Sequence, residues 1–102
     1  MDYEAVMNYM VANKMCISCP TWEDRKIVID QILKMDPGAD ISYMNEIYSS
    51  KDWPYALPKI NPCRWVLCVL GDRTPITIAD FFELCGCGQQ PSELSFDLTE
   101  VI

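Results

Sequence analysis

The chain has no histidine among its 102 residues. That excludes Ser–His–Asp and Cys–His hydrolases, whose nucleophile needs an imidazole base, and of zinc's preferred ligands, Cys and His, leaves only cysteine. Glycine is scarce, at four residues, and none falls in a phosphate-cradling pattern. Basic residues are few. Eight Lys and Arg face fifteen Asp and Glu for a net charge of −7, and no Lys or Arg follows Arg73. Direct nucleic-acid binding needs clustered cations, so it is not expected. No apolar run reaches membrane-spanning length, and no repeat or low-complexity segment is present. Asp2 and Glu4 stand where a secretion signal would be basic, so no signal peptide is expected. Six cysteines without such a signal point to a reducing, cytoplasmic setting, with free thiols or metal rather than structural disulfides.

Half of the residues are hydrophobic and 23% are charged, which suits one folded domain over residues 1–102. Helix signals dominate. Asp2 can cap a helix carrying Tyr3, Val6, Met7, Met10 and Val11 on one face. Pro20 and Thr21 open a second that runs to about Met35, with Trp22, Ile29, Ile32 and Leu33 inward, and Asp36-Pro37-Gly38 stops it. Asp40 can cap a short third helix bearing Ile41, Met44, Ile47 and Tyr48. Residues 49–62 hold Pro54, Pro58 and Pro62 and read as extended and irregular, with Trp53 and Tyr55 pinning them to the helices. Asn61 and Pro62 then look like a cap and first helical position for Cys63 to Leu70, which Gly71 would end. A strand is the rival assignment there, because the run is rich in β-formers. Asp72 to Pro75 forms a turn. Thr77 and Asp80 make a capping-box variant ahead of Ile78, Phe81, Phe82 and Cys85. Ser92 can start a last helix with Leu94, Leu98 and Val101 inward. The fold expected is mainly α, a compact bundle of about five or six short helices.

Residues 64–101, including WVLCVLGDRTPITIADFFELCG and QPSELSFDL, resemble the helix-turn-helix core of winged-helix regulators. Thr77 would open the second helix and Gly86 would lie in the turn. The segment in the place of the recognition helix carries Glu93, Asp97 and Glu100 and no base, a sign that phosphates repel. This resemblance therefore implies a protein-binding regulatory or inhibitory module. The expected partner is a protein with a basic surface, as for a phage-type anti-defence (anti-CRISPR-like) inhibitor filling a nucleic-acid-binding groove. The partner-binding residues would be Asp80, Glu83, Glu93, Asp97 and Glu100.

The cysteines support two further expectations. Cys16-Ile17-Ser18-Cys19 resembles the active site of thioredoxins and glutaredoxins, which implies an α/β thioredoxin-like fold and a thiol–disulfide oxidoreductase using Cys16 and Cys19. A helix N-terminus there would favour the thiolate. The resemblance also implies a proline facing the thiols, for which Pro58 or Pro62 is suitably placed. Cys63 to Leu70 would become a strand, Ile76–Thr77 the next, and Ala79 to Cys85 the closing helix. Alternatively, Cys16, Cys19, Cys85 and Cys87 could hold one structural zinc; otherwise no cofactor is expected. Cys63 and Cys68, in an apolar run, read as core.

Overall fold

The computed structural model describes residues 2–45, 52–60 and 64–86. Within them the order is α1 (Tyr3–Ala12), β1 (Met15–Ser18), α2 (Trp22–Met35), a 3₁₀ turn (Ser42–Met44), β2 (Tyr55–Lys59), β3 (Arg64–Cys68), β4 (Thr74–Ile76) and α3 (Ile78–Leu84). Three α-helices and a four-stranded mixed sheet replace the helical bundle that the sequence suggests. Of the two fold expectations, the thioredoxin-like one fits better.

The helices begin where local chemistry dictates. Asp2 Oδ1 accepts from the Ala5 N–H at 2.9 Å, and Thr21 Oγ1 accepts from the Asp24 N–H at 3.1 Å. At α3 the Asp80 N–H donates to Thr77 Oγ1 and the Thr77 N–H donates to Asp80 Oδ2, a reciprocal capping box. Thr21→Ala is expected to cost about 1 kcal/mol, read as a lowered urea midpoint with an unchanged slope. An unchanged midpoint would show that the cap is dispensable.

The strands follow from pairing. The sheet order is β3-β2-β1-β4, with β1 antiparallel to β2, β2 antiparallel to β3, and β1 parallel to β4. Arg64–Cys68 is β3 and not a helix. Trp65 and Leu67 are buried between half-buried neighbours, a period of two, and all five residues pair with β2. Asn61, Pro62 and Cys63, which carried the helix signal, lie outside the described residues. Tyr55–Lys59, expected to be irregular, forms β2 despite Pro58. The N–H of Trp65 points away from β2, to the Asp40 carbonyl at 3.0 Å. Pro58 and Trp65 therefore form a non-hydrogen-bonded pair, so the proline removes no bond of the β2–β3 ladder. Of the third helix proposed from Asp40, only the 3₁₀ turn lies in the described residues, where Asp40 Oδ1 accepts from Ser42 N–H and Oγ–H. The helix proposed from Ser92 lies outside them.

One face of the sheet takes the core. Ile17, Ala56, Trp65 and Leu67 meet Val6, Met7 and Met10 of α1, Val28, Ile29 and Ile32 of α2, and Phe81 of α3. The Trp65 and Phe81 rings meet edge to face at 5.8 Å, and Trp65 Nε1–H donates to the Tyr3 hydroxyl at 2.9 Å. Residues 69–73 run from β3 at one sheet edge to β4 at the other, so they must pass β2 and β1. Gly71 turns this link with φ +56°, and the Thr74 N–H docks on the Lys14 carbonyl at 2.8 Å. No helix of the described residues is long and apolar enough to cross a membrane.

Candidate thiol site

The C-x-x-C motif lies on a strand. Cys16 is the second residue of β1, Cys19 immediately follows its last residue, and α2 starts only at Trp22. Neither thiol is in the first helical turn, contrary to the expectation of a helix-borne motif. The Cys19 N–H donates to the Pro54 carbonyl at 2.8 Å, so the β1–β2 pairing extends to the entrance of α2. Of the prolines expected to face the thiols, Pro58 sits within β2 and Pro62 lies outside the described residues. Beside Pro54, the buried Arg25 donates from Nη2 to the Trp53 carbonyl at 3.2 Å, tying α2 to the segment leading into β2.

Alternation along β1 sends the two motif thiols apart. Ile17 and Cys19 belong to the helix-side core, whereas Cys16, equally inaccessible, does not. At ~3.3 Å per extended residue their Cα atoms are ~10 Å apart, beyond the roughly 4.4–6.8 Å that a disulfide spans. Cys16 and Cys19 therefore form neither a disulfide pair nor one edge of a metal tetrahedron in this conformation. Cys85 lies at the end of α3, packed on the core, and Cys87 is outside the described residues. Among the described residues no three or more His, Cys, Asp or Glu side chains are grouped to hold a metal.

Cys16 shares its side of the sheet with a different thiol. Cys68, the last residue of β3, is half-buried, and strand alternation puts it on the same side of the sheet as Cys16. Cys68 is thus not part of the helix-side core. Burial pushes Cys16 up to about 11, reinforced by Cys68 and opposed by the Arg73 guanidinium. Burial likewise raises Cys68, against the pull of the Arg73 guanidinium. Cys19 is pushed up to about 12, chiefly by burial, against the pull of Arg25.

Of the acidic residues proposed for partner binding, Asp80 and Glu83 are exposed on α3; Glu93, Asp97 and Glu100 lie outside the described residues. The helix-turn-helix arrangement loses its first helix, because Arg64–Cys68 is a strand. Sequence reasoning missed the buried Arg25 and the role of Pro54 beside Cys19. A proline just ahead of an aromatic, alternating run was the available signal for Pro54. No family model, curated protein or solved structure matches the chain.

Proposed function

We propose that this protein is a thioredoxin-like thiol–disulfide oxidoreductase. The observation that supports it is the strand–cysteine–helix unit faced by a proline. β1 carries the two cysteines to the entrance of α2, and the Pro54 carbonyl, just before the antiparallel β2, holds the Cys19 N–H at 2.8 Å. With no histidine in the chain, thiol chemistry is the covalent chemistry its side chains best supply. The reaction moves two electrons: two protein thiols become a disulfide while a substrate disulfide becomes two thiols. Cys16 is a member of the working pair. In a coupled assay with a small disulfide and a thiol reductant, Cys16→Ser is expected to fall to the uncatalysed rate. Absence of turnover by the natural chain, or full turnover by Cys16→Ser, would reject the assignment.

A second proposal rests on the exposure of Asp80 and Glu83 on α3 in a chain of net charge −7. The acidic C-terminal segment would dock on a protein with a basic surface, inhibiting or regulating it. Changing Glu93, Asp97 and Glu100 together to Lys should then abolish binding at low salt, where charge attraction is least screened. Unchanged binding would dismiss that surface.

A further inference from the structure

We infer that the hollow between the end of α1, the end of β2 and the β3–β4 link binds a small organic acid. Lys14, Lys59 and Arg73 hold its carboxylate, and its apolar body lies against Val11, Leu57 and Ile60. The site stands apart from the thiols and does not depend on the readings proposed above.

Topology gathers the cations. Lys14 joins α1 to β1, Lys59 ends β2, and Arg73 directly precedes β4. β1 runs antiparallel to β2 and parallel to β4, so its start lies beside the end of β2 and the start of β4. The three side chains, with the single carboxylate Asp72, line one hollow of about 310 Å³. The whole chain has only eight Lys and Arg and a net charge of −7. Three of those eight gathered around one carboxylate repel one another, and an anion among them relieves that repulsion. Asp72 is already engaged by Lys14, with Nζ to Oδ2 at 3.3 Å. Lys59 makes no ion pair among the described residues. Arg73 is tethered by a long bond from Nη1 to the Val69 carbonyl at 3.4 Å, and a guanidinium has further N–H groups to offer.

Lys14 stands there at a cost to the fold. Its φ of +53° is left-handed, and among the described residues it is the one non-glycine residue with positive φ. It directly follows Asn13, the C-cap of α1, a position that glycine fills without strain. A side chain at this φ is destabilising relative to glycine. Two surface effects act the other way: the ion pair with Asp72 and the nearby C-terminus of α1. Both are weak, because the partners are mostly in water, with the two side chains 69% and 78% exposed. Stability therefore does not account for a lysine here. A task outside the fold does, since non-glycine residues held at such angles collect at ligand sites.

The ligand class comes from the rest of the lining, which is apolar. Val11 and Ile60 are among the large hydrophobic side chains left exposed, and both line the hollow beside Leu57. A bare inorganic anion would leave them wet. A neutral hydrocarbon would leave the cations without a counter-charge. A molecule with an apolar body and a carboxylate end satisfies both, and a carboxylate accepts the paired N–H groups of a guanidinium. The volume lies at the small end for ligand sites, so the body is a short chain or a single ring.

The test is titration calorimetry of the full chain at low salt with octanoate, octanol and inorganic phosphate. Octanoate should bind, and more weakly as salt is added. Octanol and phosphate should each bind at least about tenfold more weakly. No octanoate binding would overturn the site. Octanol binding as tightly would overturn the part given to the cations, and phosphate binding as tightly would overturn the part given to the apolar wall. Amide shifts in a nitrogen–proton spectrum should centre on Val11, Lys14, Lys59, Ile60 and Arg73 as octanoate is added; shifts centred elsewhere would overturn the location. Lys59→Gln and Arg73→Gln should each weaken octanoate about tenfold. Asp72→Asn should tighten it, because the one carboxylate facing the ligand is gone; weaker binding would overturn the charge argument. Lys14→Gly should weaken octanoate while its urea midpoint holds or rises. A lowered midpoint with unchanged octanoate affinity would make Lys14 a residue of the fold alone and overturn its place in the site.

Discussion

Trp65→Ala will destabilise the protein by about 3–5 kcal/mol, the usual cost of emptying a buried aromatic site. Trp65 is fully inaccessible and is the largest side chain of the core. It joins three elements at once. Its ring meets Phe81 of α3 edge to face at 5.8 Å, its indole N–H donates to Tyr3 of α1 at 2.9 Å, and its backbone is paired with Pro58 in β2. Domains of this size are stable by about 5–15 kcal/mol, so the variant will be partly unfolded or near its limit. Far-UV circular dichroism through a urea titration reads the loss without relying on tryptophan emission. Trp65→Phe keeps the ring contact but not the N–H, and should lose distinctly less. A loss below about 1 kcal/mol for Trp65→Ala, the range of surface substitutions, would mean that β3 does not seat this ring in the core.

The second large effect is a loss of stability in alkali. Burial holds the Cys19 thiol up to about 12, against an ordinary value of 9.0. The folded chain therefore keeps this proton more tightly than the unfolded one. The contribution is present in full below pH 9 and is lost as the pH rises toward 12, because the unfolded thiol ionises first and draws the equilibrium toward itself. At ~1.4 kcal/mol per pH unit, about 2 kcal/mol is lost by pH 10.5 and about 4 kcal/mol by pH 12. Cys16, raised to about 11, acts in the same direction. Tyrosines and lysines also titrate in this range, so the comparison is with Cys19→Ala. Urea midpoints of the two proteins, taken between pH 8 and 10.5, should converge as the natural chain loses its advantage. Parallel curves would show that Cys19 is not buried in the folded state.

The parts of the fold legible in the sequence are those decided within a few residues. Asp2, Thr21 and the Thr77–Asp80 pair each reach a backbone N–H three residues on, and all three helices start after them. Of the face expected from helical spacing, Val6, Met7 and Met10 are buried, whereas Val11 is exposed. Arg64–Cys68 misled because apolar residues in a short run satisfy both periods, and the cap signals before it and Gly71 after it suited a helix. Gly71 does adopt a left-handed conformation, but in the turn of the link between β3 and β4. MCISCP was read as the entrance to a helix; its first four residues form β1, whose hydrogen bonds lie with β2 and β4.

The sequence by itself determined the chemistry available, thiols without imidazole and a net negative charge, and the capped starts of the three helices. These depend on composition or on hydrogen bonds between near neighbours, so they need no knowledge of the rest of the chain. Only the tertiary structure decided the sheet, and with it the side of the sheet on which each thiol lies. A strand is completed by a partner distant in sequence, and its register fixes which side chains share a face. That register puts Cys16 and its near neighbour Cys19 on opposite sides of the sheet.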